Sequence, residues 1–61
     1  MTVGEKLRKL RGKKTVSEVA KAVGISESSY IKYERGERVP RDEKKRAIAN
    51  YYGKSVAYIF F

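Results

Sequence analysis

Thr15-Val-Ser-Glu-Val-Ala-Lys-Ala-Val-Gly24-Ile-Ser-Glu-Ser-Ser-Tyr-Ile-Lys-Tyr-Glu-Arg-Gly36 is the stretch that decides the fold. Val16, Val19, Ala20 and Val23 recur at i, i+3, i+4 and i+7, the spacing of one helix face. Thr15 stands where an N-cap belongs, and Glu18 follows three residues later, so the two read as a capping box. Gly24 suits the left-handed position that ends a helix. Ser26 then caps a second helix, whose apolar positions are Tyr30 and Tyr33 and which stops at Gly36. Two short helices meeting across so short a turn impose demands on single positions. Ala20 must be small where the helices cross closely. Gly24 must turn the chain sharply, and Ile25 must fill the space beneath the turn. The outer face of the second helix is then free of the core.

Working outward from this corner, three further helical segments appear. Residues 3–11 place Val3, Leu7 and Leu10 on one stripe. Residues 42–52 are read as capped by Asp42 and ended by Gly53, with Ile48, Ala49 and Tyr52 inward. Lys44, Lys45 and Arg46 fill the first half of that segment, which reads as a wet end. Residues 55–60 start at Ser55 and carry Val56, Ile59 and Phe60 on one face. No segment alternates with period two. The expectation is an all-α, compact five-helix fold, a single domain over residues 1–61, with its two-helix core at about 15–35.

Composition narrows the chemistry. A chain of 61 residues has a core that supplies no more than about 3–5 kcal/mol of net stability. Cysteine and histidine are both absent. Disulfides, thiolate or imidazole metal sites and a near-neutral general base are therefore excluded. No glycine-rich phosphate loop occurs, and Asp42-Glu43 is the nearest thing to a carboxylate pair. We expect no enzyme, no metal and no cofactor. Fifteen Lys and Arg against seven Asp and Glu leave a net charge of +8. Such a field attracts a polyanion: nucleic acid, an anionic membrane or an acidic protein. No apolar run approaches the ~20 residues of a membrane helix. The opening residues lack the apolar region of a signal peptide. The cations are spread over several capped helices instead of one long amphipathic face, which sets a membrane partner aside. The expected location is the cytoplasm.

Three pieces of the sequence, V-A-x-x-V-G-I-S at 19–26, Y-E-R-G-E-R-x-P at 33–40 and Y-Y-G-x-S-V-x-x-I-F at 51–60, resemble the helix-turn-helix domain of phage repressors, Cro proteins and the wider Xre family. The resemblance runs from about Val3 to Phe60. It implies a sequence-specific regulator of transcription that inserts the helix at 26–35 into the major groove of double-stranded DNA. It implies that Glu27, Ser28 and Lys32 present side chains to base edges, with Ser29 in reach. It implies that Arg11 and Glu34 pair to tie the first helix to the third, and that Arg35, Arg38 and Arg41 lie near the DNA backbone. Ser17 and Ser26, at the starts of the second and third helices, join the phosphate-contacting set. Lys13 and Lys14 read either as further phosphate contacts or as a solvated face. Glu27 has two readings, an acceptor for cytosine N4 or a charge favoured in the first turn of a helix.

The sequence departs from the family in three places. Val16 stands where the family has a glutamine that contacts phosphate and braces the recognition helix. The connection from Leu10 to Val16 is about two residues shorter. The first half of the fourth segment is charged. At the end of the chain, Tyr58 and Phe61 fall opposite the buried face of the last segment. Either this terminus frays, or the two aromatics contact a second copy in a weak homodimer that forms mainly on DNA. They also leave open an antitoxin or accessory DNA-binding protein whose main partner is another protein.

Overall fold

A computed structural model describes residues 1–61. It contains α1 (Val3–Arg11), α2 (Val16–Val23), α3 (Glu27–Arg35), α4 (Asp42–Tyr52) and α5 (Val56–Phe60) and no strand, the five-helix, all-α architecture expected. No helix is long and apolar enough to cross a membrane.

Four of the helices begin on a hydroxyl. The Oγ atoms of Thr2, Thr15, Ser26 and Ser55 accept the backbone N–H three residues on, at 3.1, 3.1, 3.1 and 3.0 Å. Each such cap satisfies one of the donors a helix start leaves free. The reciprocal box forms at Thr2, whose N–H donates to Glu5 Oε1 at 3.0 Å. That backbone bond holds the Glu5 carboxyl below its ordinary range. At Thr15 only the threonine half of the expected box is made. Asp42 is not a cap either. Arg41 occupies that position without a side-chain bond, and Asp42 and Glu43 place negative charge in the first turn of α4, where it complements the exposed N–H groups.

The core joins all five helices through Leu7, Val19, Ala20, Val23, Tyr30, Tyr33, Ile48, Ala49 and Ile59. Tyr30 is the largest fully buried side chain. Its hydroxyl meets that of neighbouring Tyr52, with the two oxygens 2.6 Å apart. A buried hydroxyl without a partner would cost far more than this bond contributes. The fourth segment is drier at its start than its charges suggest. Lys44 and Lys45 are half-buried, and the Lys45 ammonium lies 5.8 Å from the centre of the Phe60 ring and 5.0 Å from that of Phe61. A long lysine stem can cover apolar surface in this way.

α1 lies close on α3. A Cβ built on Gly4 would overlap the backbone carbonyl of Glu34. Any larger residue at position 4 would therefore push α1 off α3.

Burial raises the pKa values of both Tyr30 and Tyr52 above the ordinary tyrosine range. A group whose folded pKa is raised stabilises the fold fully below its unfolded pKa, about 10 for tyrosine, and loses that contribution as pH climbs through the folded value. The melting temperature is therefore expected to fall from about pH 10 upward. Tyr30→Phe should cost about 1 kcal/mol at neutral pH, the net worth of one hydrogen bond, and flatten the alkaline decline. Thermal melts followed by circular dichroism between neutral and alkaline pH check both. An equally steep decline in the variant would contradict this account.

Candidate nucleic-acid interface

The corner between α2 and α3 is built by one alanine and one glycine. Ala20 is 1% exposed, which allows the helices to approach closely. Gly24 adopts φ 78°, ψ 36°, a left-handed conformation that side chains disfavour. From there the N–H groups of Gly24 and Ile25 both donate to the Ala20 carbonyl, each at 2.9 Å. Ile25 is half-buried against the core beneath the turn. Lys44 of α4 adds a clamp, since its Nζ donates to the Gly24 carbonyl at 3.3 Å. That use of Lys44 is invisible in a run of three cations.

The inner face of α3 is Tyr30, Tyr33 and Glu34. Glu34 is a buried acid at 8% exposure. Arg11 answers it with two bonds, Nε to Oε2 at 2.7 Å and Nη2 to Oε1 at 3.2 Å. Arg8 stands further off, 4.0 Å from the same carboxylate. The third guanidinium nitrogen, Arg11 Nη1, donates to the Lys14 carbonyl at 2.9 Å. The hydrogen bond to Glu34 raises the Arg11 pKa further. One arginine thus fastens α1 to α3 and to the loop that leads into α2. The loop bond was not legible in the sequence, because a backbone carbonyl leaves no mark there.

With that face locked, helical period turns Glu27, Ser28, Ile31, Lys32 and Arg35 outward. Glu27, Ser28 and Arg35 are exposed and Lys32 is half-buried. None of these four side chains has a hydrogen bond or ion pair within the chain. Ser29 is half-buried, and Ser26 Oγ donates to its Oγ at 2.9 Å while also capping the helix. Ser26 therefore spends both its acceptor and its proton locally. Lys13, Ser17, Arg38 and Arg41 are exposed. The Lys14 ammonium sits 4.7 Å above the Tyr51 ring, an arrangement that orders the side chain while leaving its charge available.

Val16 is half-buried against the core, so this position packs where the resemblance expects a polar brace. Tyr58 and Phe61 are 57% and 83% exposed. They border different depressions, Tyr58 one shared with Met1, Lys6 and Lys54, and Phe61 one shared with Lys45, Arg46 and Val56. No group of three or more acidic side chains is placed to hold a metal ion. Ile31, at 39% exposure, is an outward residue of α3 that reading the sequence passed over. Its signal was there, an apolar residue at a position the helical period sends to solvent.

A family model described as helix-turn-helix matches residues 5–59. The chain is also 33% identical over 54 residues to the cryptic phage CTXphi transcriptional repressor RstR of Vibrio cholerae. That match covers 85% of this chain and 49% of the repressor, so the chain spans about half the length of the curated relative it matches. No solved structure matches the chain.

Removing Arg11 alone would leave the Glu34 carboxylate buried without its partner. Arg11→Met is expected to cost about 3 kcal/mol, which approaches the whole stability of a fold this small. Arg11→Met combined with Glu34→Met should recover most of that loss, because no buried charge is then left unpaired. Urea unfolding of the two single variants and the double variant measures the coupling. Additive losses would mean that the pair contributes nothing as a pair.

Proposed function

The chain belongs to the Xre/Cro-type helix-turn-helix family, and from that premise we propose that it is a sequence-specific DNA-binding regulator of transcription acting in the cytoplasm. The observation that carries the reading is the contrast between the two faces of α3. Its inner face is locked by Tyr30, Tyr33 and the Arg11–Glu34 pair. Glu27, Ser28, Lys32 and Arg35 on its outer face are left without partners. A helix about 10–12 Å across fits the major groove of B-DNA, about 12 Å wide.

In this reading Lys32 donates to guanine O6 and N7, Ser28 bonds to whichever edge it meets, and Glu27 accepts from cytosine N4. Ser29 retains its own proton and can add a contact. Lys13, Lys14, Arg35, Arg38 and Arg41 hold phosphates and set the register without reading sequence. Ser17 and the first N–H groups of α2 present donors to a phosphate at a helix N-terminus. Ser26 contributes by holding the start of α3. Glu34, the buried acid, pairs with Arg11, and this neutral pair is already counted in the net charge of +8.

Five phosphate-holding cations imply that log K falls against log salt with a slope of roughly −4 to −5. Arg38→Ala or Arg41→Ala should weaken specific and non-specific duplexes alike and make the slope shallower by about 1. Lys32→Ala and Ser28→Ala should instead relax the preferred sequence at one or two base pairs, each costing about 1–3 kcal/mol on the favoured site. In-vitro selection from random duplexes followed by titration at several salt concentrations tests all of this. A slope near zero sinks the basic-face reading, and unchanged sequence preferences in both α3 variants sink the placement of the recognition helix.

One nine-residue recognition helix covers only a few base pairs, so two copies on one operator supply specificity that one cannot. We assign the contact between copies to Tyr58 and Phe61, in a dimer that is weak in solution and forms on DNA. A Tyr58→Ser, Phe61→Ser variant should keep its fold and lose cooperative binding to a two-half-site duplex. Sedimentation equilibrium and binding stoichiometry report the outcome. Cooperativity equal to the parent's would place the contact elsewhere.

A further inference from the structure

Ile31 sits outside the apolar core of the fold. It belongs neither to the buried core nor to the partly buried apolar side chains packed against it. The other exposed large apolar residues, Met1, Val39, Tyr58 and Phe61, lie outside α2 and α3, so Ile31 alone stands on the helix assigned to DNA. A β-branched residue is stiff in a helix and forms one less readily than the lysine, arginine or glutamate that commonly fill wet helical positions. Its 39% exposure also leaves apolar surface in water, at a cost proportional to area.

Its neighbours say what could cover it. Glu27 lies one turn before Ile31 and Arg35 one turn after, each about 40° away around the helix at 100° per residue. Ser28, three residues back, is small and leaves the isoleucine accessible. Ile31 is therefore an apolar island in a polar strip, flanked by groups that can approach base edges and phosphates. In the major groove the apolar feature that a base pair presents is the C5 methyl of thymine. An isoleucine fixed on the reading helix gains from a thymine beneath it and from no other base. We propose that Ile31 is a specificity-determining residue that reads a thymine methyl in the site bound by α3, an inference that rests on the DNA-binding reading above.

The test uses the full chain and the duplex it selects. Each thymine of that duplex is replaced in turn by uracil, which removes the methyl and keeps the pairing and the hydrogen-bonding edge. Affinities are measured by fluorescence anisotropy for the parent and for Ile31→Ala. One replacement is expected to weaken the parent roughly three- to tenfold, the scale of one buried methyl group, and to change Ile31→Ala by less than about twofold. Alanine is the best helix former, so the variant should melt no lower than the parent, and circular dichroism verifies this. Three outcomes overturn the proposal while leaving DNA binding intact. They are a parent indifferent to every uracil, an Ile31→Ala variant as sensitive as the parent at the same thymine, and a selected site without a required thymine. Failure to bind any duplex at low salt overturns the DNA-binding reading and this inference together.

Discussion

The contact between Arg11 and Glu34 is the constraint on which the arrangement depends. A carboxylate buried to 8% exposure is tolerable only with a charged, hydrogen-bonded partner. Arg11 is that partner, and its planar fork has one nitrogen left over for the Lys14 carbonyl. Three segments are thereby fixed by one side chain: α1, which carries the arginine, α3, which carries the acid, and the loop that feeds α2. The Glu34 backbone takes part as well, since its carbonyl lies against Gly4. The same residue thus meets α1 at both ends, through its backbone near the start and through its carboxylate near the finish. The roll of α3 about its own axis is set there, and with it the identity of every residue on the outer face.

A fold this small has little stability to lose, and its interior polar groups are satisfied accordingly. No buried side-chain nitrogen or oxygen lacks a hydrogen-bond partner. The Tyr30 and Tyr52 hydroxyls satisfy each other across α3 and α4. Lys44 ties α4 to the turn at Gly24. These polar links run between helices that the apolar core already brings together, and each one specifies a register that hydrophobic packing alone leaves loose. The result is a corner tied by several polar links, the kind of support that the proposed reading helix requires if its side chains are to be held in place.

Charge is divided between inside and outside by the same logic. Glu5 is used to close the start of α1, Glu34 is neutralised by Arg11, and Asp42 lies 4.0 Å from Lys45. The cations around α3 have no such engagements. Arg35, Arg38 and Arg41 stay exposed and take part in no ion pair. Ile31 breaks this polar pattern on the outer face, which is why it stands out once α3 is placed.

The sequence by itself determined the elements and the corner. Apolar residues at helical spacing, the hydroxyls of Thr15, Ser26 and Ser55 at three helix starts and glycines at the ends are local features, and local features suffice to mark helices, although the Thr2 cap was passed over. They failed where two local patterns competed. Thr-x-x-Glu occurs at Thr2 and at Thr15, and only the first closes reciprocally. An acid beside Arg41 looked like a cap and proved to lie inside the first turn. The outer face of α3 was half legible, because the family resemblance singled out Glu27, Ser28 and Lys32, while Ile31 emerged only once the inner face was placed. Tertiary structure alone decided the rest. That Lys44 is a clamp, that the Tyr30 hydroxyl finds Tyr52, that Arg11 reaches the Lys14 carbonyl and that Gly4 must be a glycine all depend on contacts between segments distant in the chain or on backbone carbonyls. Neither a long-range pairing nor a carbonyl leaves a trace in side-chain pattern, so only the packed helices could place them.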